Sequence, residues 1–75
     1  MSYPNAGDGM KVRAVIKLLE ADGWQLDRQR GSHRIFRHES KPGTVTVAGK
    51  LSIDLPPGTV ASIRRQAGGL RGEKR

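Results

Sequence analysis

The apolar positions of the chain follow a helical period first and a period of two afterwards. Between Met10 and Gly23 they recur at the spacing i, i+3, i+4, i+7, which places them on one helix face. These positions are Val12, Val15, Ile16 and Leu19. Asp8 is suited to cap this helix, and Gly23 is suited to end it, because glycine readily adopts the left-handed conformation. We therefore predict a first helix that begins near Met10 and ends before Gly23.

After the first helix, the period of two predicts a pair of strands. Trp24 and Leu26 alternate with polar residues, which indicates a strand with one buried face. The dipeptide Gly31–Ser32 is typical of a two-residue hairpin turn, because glycine tolerates positive φ at the first turn position. A second strand then covers residues 33–38, so an antiparallel hairpin is expected.

The side chains of the second strand divide between the two faces of the predicted sheet. If Phe36 points into the core, strand parity places Arg34 and His38 on the same side. The residues on the opposite side are then His33, Ile35 and Arg37. We expect this second side to face solvent.

The rest of the chain predicts a third strand, a connector and a second helix. A turn at residues 40–43 precedes an alternating segment, residues 44–47, whose valines are predicted to point inward. The connector, residues 48–55, carries three apolar residues that are candidates to anchor it, namely Leu51, Ile53 and Leu55. The proline-rich segment that follows is typical of a helix start, with Thr59 as the cap.

The second helix presents one apolar face and ends at a glycine pair. Val60, Ile63 and Ala67 share this face, and Gly68–Gly69 closes the helix. The order α-β-β-β-α predicts an α+β fold, in which two helices cover one face of a three-stranded antiparallel sheet. This order is the topology of the double-stranded RNA-binding domain. We predict a domain over residues 10–70, a flexible N-terminal extension over residues 1–9 and a basic disordered tail over residues 71–75.

Charge narrows the class of partner. Fourteen Lys and Arg residues against seven Asp and Glu residues give a net charge of +7, which favours a polyanionic partner: a nucleic acid, an acidic protein or an anionic membrane surface. The absence of cysteine excludes disulfides and thiolate zinc sites, and it fits a reducing compartment. No apolar run approaches the roughly 20 residues that span a bilayer, and the N-terminus lacks a signal-peptide pattern. We therefore expect a cytoplasmic protein with no membrane partner.

His33 is the candidate catalytic residue. It follows the Gly31–Ser32 turn and is surrounded by arginines. Imidazole exchanges protons near neutral pH, and a guanidinium binds phosphate oxygens, so RNA cleavage is one interpretation. The alternative is a histidine that only packs beside a turn. His38 is expected on the other face, which disfavours a two-histidine site.

The basic residues around the hairpin form a candidate phosphate-binding patch. They are Arg28, Arg30, Arg34, Arg37 and Lys41. The alternative is a solvated face that serves solubility. A second basic group, Arg64, Arg65, Arg71, Lys74 and Arg75, fits a solvated helix end and tail equally well. The acidic residues are scattered, which predicts neither a metal site nor a cofactor. Trp24 and Phe36 are predicted to be core residues rather than base-stacking platforms.

Four segments carry a resemblance to the HicA-type mRNA interferases, the toxins of a bacterial type II toxin–antitoxin family. They are LLEADGW at residues 18–24, RQRGSHR at 28–34, KPG at 41–43 and DLPPGT at 54–59. The resemblance implies metal-independent cleavage of mRNA, a block of translation and growth, and inhibition by a HicB-type antitoxin that covers the active site. It assigns the essential histidine of the Gly-Ser-His motif to His33, with Gly31 and Ser32 beside it.

One position departs from the pattern of that family. Its members carry a second histidine after the third strand, where this chain has Lys50. A lysine there can contact RNA phosphate and stabilise charge, but it is a poor proton donor near neutral pH. The alternative function is therefore a non-catalytic RNA-binding module with the same fold. The family's usual start also falls near Met10, downstream of residues 1–9.

Overall fold

A computed structural model describes residues 9–69 of the 75-residue chain. In chain order the elements are β1 (Met10–Lys11), α1 (Val12–Ala21), β2 (Gln25–Arg30), β3 (His33–Arg37), β4 (Thr44–Ala48), β5 (Asp54–Leu55) and α2 (Pro57–Gln66). The predicted α-β-β-β-α order and the α+β class are confirmed, and two short strands, β1 and β5, are added to them. The predicted cap Asp8 and the predicted tail, residues 71–75, lie outside the described residues.

The main sheet is antiparallel with the strand order β2-β3-β4. Its central strand contributes Phe36 to the core, and β4 contributes Val45 and Val47, so the prediction of inward valines is confirmed. The two helices complete the core from one side with Val12, Val15, Leu19, Val60, Ile63 and Ala67. Trp24 is also buried, as predicted.

The predicted buried face of the first strand is wrong. All six residues of β2 are exposed, and Leu26 keeps 49% of its surface accessible. The reason is that β2 is an edge strand, whereas both helices pack over β4 at the opposite edge of the sheet. Trp24 is buried because it lies immediately before β2, where it can reach the core.

The hairpin prediction is confirmed in detail. Arg30 pairs with His33 across a two-residue turn, and Gly31 has a φ of +57°. No non-glycine residue of the described part has positive φ, so Ser32 does not. Positive φ at the first turn position alone is the pattern of a type II′ turn, which matches the twist of the flanking strands.

A second, two-stranded sheet fixes the start of α1. Met10 pairs with Leu55 and Lys11 pairs with Asp54, so the chain is still extended where we predicted helix. The helix begins at Val12, and its first amides are bound by the connector: Val12 N–H donates to the Ile53 carbonyl at 2.9 Å. Lys11 stands at the cap position without a side-chain cap. The helix end before Gly23, which has a φ of +103°, is as predicted.

Two further predictions about the C-terminal half need correction. Leu51 and Ile53 do not anchor the connector through their side chains, which are about half exposed; their backbone carbonyls do so instead, and Leu55 is the buried member of the three. Thr59 does not cap α2, because Pro56 occupies the cap position and Thr59 lies within the first turn. The helix end at Gly68–Gly69 is confirmed, since Gly69 N–H donates to the Arg64 carbonyl at 3.0 Å.

Candidate nucleic-acid interface

The face of the main sheet that the helices leave uncovered carries four of the nine predicted site residues. Directly opposed residues of an antiparallel pair share a face. Because Arg30 opposes His33 and Arg28 opposes Ile35, both arginines lie on the same face as His33 and Ile35. Arg37 belongs there by strand parity, as predicted. We call this face, with Arg28, Arg30, His33, Ile35 and Arg37, the open face.

A β-bulge at Asp27 brings the two arginines of β2 onto the open face. The register shifts between Leu26, which opposes Phe36, and Arg28, which opposes Ile35. Without the extra residue, simple alternation from an inward Leu26 would turn Arg28 and Arg30 toward the helix side. The sequence contained a signal of this bulge, because charged residues follow Leu26 at both odd-numbered and even-numbered positions.

Asp27 also sets the electrostatics of one end of the open face. Its carboxylate lies 3.9 Å from Arg28 Nε and 3.8 Å from Arg37 Nη1. Both arginine side chains are about 70% exposed, at 72% and 67%, so these contacts are weak and screened by solvent. The two guanidinium groups therefore remain accessible to an anionic ligand.

His33 is exposed at the first position of β3, the central strand. It is flanked by its register partners, Arg30 on β2 and Ala48 on β4. Among residues 9–69, no hydrogen bond or ion pair engages its ring. The position was predicted from parity, and the arrangement gives an imidazole with a neighbouring guanidinium at one end of the sheet.

The turn beside His33 is held by hydrogen bonds at both of its carbonyls. Gln29 Nε2 donates to the Gly31 carbonyl at 2.9 Å, and Gly49 N–H donates to the Ser32 carbonyl at 3.1 Å. Lys50 follows Gly49 directly and is exposed. We call this region, residues 30–33 with 48–50, the His33 end of the sheet. It brings together five predicted site residues: Arg30, Gly31, Ser32, His33 and Lys50.

Arg34 lies on the other face from the rest of the patch. It opposes Val47, which is fully buried on the helix side, and its own side chain is half-buried. Its Nη1 donates to the Gly49 carbonyl at 2.9 Å. The predicted phosphate contact was based on sequence proximity, and no sequence signal indicated this backbone contact.

Lys41 lies at the far end of β3 from His33, about 13 Å along a five-residue strand. Its ammonium is bound by Asp22 Oδ2 at 2.6 Å and by the carbonyls of Ala67 at 3.0 Å and Gly69 at 2.8 Å. The lysine thus joins the ends of both helices to the β3–β4 loop. All three ammonium donors are used within the fold, so we leave Lys41 out of the RNA surface proposed below.

His38 is a structural histidine, on the face opposite His33 as parity predicted. Its Nδ1 accepts hydrogen bonds from the amides of Ser40 at 2.9 Å and Lys41 at 3.1 Å. Nε2 lies 2.7 Å from the Asp22 carbonyl and therefore carries the proton that it donates. The ring packs edge-on against Trp24, with the centroids 5.2 Å apart. These contacts leave no ring nitrogen for chemistry.

Besides the open face, the described residues offer a shallow depression but no grouped metal ligands and no membrane-spanning helix. A shallow depression of about 270 Å³ is lined by Gln25, Leu26, Asp27, Arg37, His38 and Glu39, at the opposite end of the hairpin from His33. Within residues 9–69, no three His, Cys, Asp or Glu side chains are grouped as metal ligands would be. Neither helix in that range is long and apolar enough to cross a membrane.

Comparison with known proteins identifies the family. The model of the HicA toxin of bacterial toxin–antitoxin systems matches residues 12–68, about three-quarters of the chain. The chain belongs to the HicA toxin family. It is therefore the toxin of a toxin–antitoxin pair, and an antitoxin is its implied partner. A search of curated proteins finds no match. The matched residues include the whole open face, the His33 end and the Asp22–Lys41 contact.

Proposed function

We propose that this HicA-family toxin is a metal-independent endoribonuclease that cleaves mRNA, with His33 as its general acid or base. The observation that carries the proposal is the position of His33. Its ring is exposed, without an intramolecular partner among the described residues, on the open face beside Arg28 and Arg30. An imidazole so placed can reach a ribose while guanidinium groups hold the adjacent phosphates.

The proposed reaction is attack by a ribose 2′-oxygen on the neighbouring phosphorus. The bond between phosphorus and the 5′-oxygen breaks, which leaves a 2′,3′-cyclic phosphate on one product and a 5′-hydroxyl on the other. His33 either takes the proton from the 2′-hydroxyl or supplies the proton to the 5′-oxygen, and water acts at the other position. Acid–base chemistry on the 2′-hydroxyl needs no metal ion, so the proposed cofactor requirement is none.

The RNA is proposed to bind along the open face. Arg28, Arg30 and Arg37 contact phosphates there, and Lys50 contacts a phosphate at the His33 end. The net charge of +7 supports a large contribution of counterion release to the affinity. Gly31 and Ser32 shape the turn and allow the RNA backbone to approach His33 closely.

The partner antitoxin is proposed to be of the HicB type. The simplest way to inhibit so small an enzyme is to cover the open face, because the substrate and the inhibitor then compete for the same arginines. This proposal depends on the placement of the RNA surface on the open face.

The rival function is an RNA-binding module without turnover. One observation favours it: His33 is the only histidine among the described residues of the His33 end, and Lys50 stands where the resemblance to the family implies a second one. Both functions predict RNA binding, so only a cleavage assay separates them.

The test is cleavage of a synthetic RNA oligonucleotide in EDTA by the wild-type protein and by His33→Ala. We expect cleavage by the wild type, products with cyclic phosphate and 5′-hydroxyl ends, and a loss of about 10²- to 10⁴-fold in the variant. The control is Thr44→Ala, a change of an exposed residue in β4 at the end of the sheet away from His33. Cleavage by the folded His33→Ala protein at the wild-type rate would refute the role of His33. Binding without cleavage by the wild type would favour the rival.

A further inference from the structure

The His33 end of the sheet is assembled from two separate chain segments. One is the β2–β3 hairpin with His33 itself, and the other is the turn that leaves β4 at Gly49 and carries Lys50. Lys50 can act on the same ligand as His33 only if the second segment is held in a fixed position against the first. The contact that does this across the helix side of the sheet is made by Arg34.

Arg34 is placed to hold the second segment. As a residue of β3 it is rigidly connected to His33, its neighbour in sequence, but it points to the helix side. There its Nη1 donates to the Gly49 carbonyl at 2.9 Å, over a separation of 15 residues. This oxygen belongs to the peptide that links Gly49 to Lys50, so the bond acts directly on the lysine backbone.

The other contacts of this peptide complete the restraint. Gly49 N–H donates to the Ser32 carbonyl at 3.1 Å, and Ile53 N–H donates to the Lys50 carbonyl at 3.0 Å. Gly49 itself has a φ of +116°, which favours glycine. A Cβ on Gly49 would stand 3.3 Å from Val12 Cγ2, so the α1 side of the turn is also closely packed. Of these restraints, the Arg34 bond is the one that a side-chain substitution removes.

The Lys50 side chain is exposed and forms no hydrogen bond or ion pair with another described residue. Its backbone lies two residues beyond Ala48, the register partner of His33. Because its backbone is held and its ammonium is unengaged, Lys50 is suited to bind a ligand rather than to stabilise the fold. In the proposed reaction, negative charge increases on the phosphate oxygens, and a positioned cation stabilises it.

We propose that Arg34 is a positioning residue that holds the Gly49–Lys50 peptide so that the Lys50 ammonium contacts the phosphate on which His33 acts. This proposal rests on the proposed function for the phosphate, and it changes the role of Arg34 from an RNA contact to a support for one. Its central consequence is that Arg34 has its effect through Lys50.

A double-mutant cycle tests that consequence. Arg34→Met, Lys50→Met and the double variant are compared with the wild type in single-turnover cleavage of a synthetic RNA at saturating protein. We expect each single change to lower the rate about 10-fold or more, and the double variant to be no slower than Lys50→Met alone. Multiplicative losses would overturn the proposal, because they would mean that Arg34 acts independently of Lys50.

Arg28→Met is the matched control. It removes a guanidinium of the open face that has no contact with Gly49, so its loss should multiply with that of Lys50→Met. Equal coupling of Arg28 and Arg34 to Lys50 would show diffuse electrostatics instead of a specific support.

A readout independent of catalysis keeps the proposal separate from the proposed function. Amide hydrogen exchange at Gly49 and Ile53 should accelerate in Arg34→Met and stay unchanged in Lys50→Met. The same cycle is measured on the dissociation constant of a non-cleavable 2′-O-methyl RNA.

If the wild type fails to cleave RNA, the proposed function fails, and exchange and binding still decide the role of Arg34. Unchanged exchange at Gly49 in Arg34→Met overturns that role. Arg34→Leu, which likewise removes the side-chain donor to the Gly49 carbonyl, replaces Arg34→Met if the latter does not fold.

Discussion

The two histidines of the chain have opposite surroundings, although five positions separate them. His33 is exposed at the start of β3 with no partner among the described residues, whereas both nitrogens of His38 are engaged by backbone groups. A histidine fixed in one tautomer by three backbone contacts contributes to the fold, and an unengaged one can exchange protons with a ligand. The odd separation along a strand is what assigns them to different faces.

A residue-scale prediction concerns Lys41. Lys41→Met should lower the free energy of unfolding by about 2–3 kcal/mol, because it removes the ammonium that contacts the buried Asp22 carboxylate and the carbonyls of Ala67 and Gly69 just beyond α2. Urea denaturation followed by the fluorescence of Trp24, the single tryptophan, measures this. Trp24 is a suitable probe because its Nε1 donates to the same carboxylate at 3.1 Å.

The control for this prediction is Lys17→Met on the exposed side of α1. It removes the same charge and should change stability by less than about 0.5 kcal/mol. RNA affinity at matched ionic strength should respond alike to both variants, because neither lysine is on the open face. A selective loss of RNA affinity in Lys41→Met, with stability unchanged, would show that Lys41 contacts RNA.

At the scale of elements, β1 and β5 depend on a glycine that brings the chain close to its partner. Gly9 has a φ of +93°, and a Cβ there would overlap the backbone carbonyl oxygen of Leu55. Gly9→Ala should therefore detach β1 and destabilise the protein by about 1–3 kcal/mol. Faster amide exchange in β1 and β5, together with a lower melting temperature, is the expected result.

A glycine-to-alanine substitution in α2 should instead increase the stability of the protein. A Cβ on Gly58 would meet no atom within 4 Å, and Gly58 lies in the first turn of the helix with an ordinary φ. Gly58→Ala should stabilise the protein by about 0.5–1 kcal/mol, since alanine has the higher helix propensity and the more restricted unfolded state. If both alanine variants destabilised the protein alike, the close approach of Gly9 to β5 would not be the cause.

Periodicity predicted the elements better than it predicted their edges. It gave α1, the hairpin and the valine face of β4, because each of these depends on neighbours within a few residues. It missed β1 and β5, since a two-residue ladder has no period and depends on a partner more than 40 residues away. It also wrongly predicted that Leu26 is buried, because strand alternation does not tell which strand of the sheet the helices leave uncovered.

The candidate site was predictable to the same extent. Local sequence indicated His33, Arg28, Arg30 and Arg37 as candidates, and parity placed His33 and Arg37 on the face where the structure has them. Arg34 and Lys41 have the same charge and lie just as near in sequence, but each is bound to oxygen atoms from distant segments. Charge identifies a cation in the sequence, whereas only tertiary structure tells whether its donors are already used.

At the scale of the whole molecule, the charge of +7 and the uncovered sheet face favour an acidic partner. We expect the HicB-type antitoxin to bind the open face, with association that slows as salt increases. Hydrogen exchange of the free and bound toxin tests the location. The free edge of β2 should become protected on binding, together with the turn at Gly31, because β2 is an edge strand whose outward amides pair with no other strand of residues 9–69.

A matched pair of charge reversals tests the same prediction by kinetics. Arg28→Glu changes the open face, whereas Arg65→Glu makes the same change on the exposed side of α2. Both variants have the same net charge, so a general effect of charge would slow antitoxin association equally. We expect Arg28→Glu to slow it at least several-fold more, because the reversed charge then opposes the docking surface itself. Equal rates, with protection confined to the helices, would mean that the antitoxin binds the helical side and inhibits the toxin without covering His33.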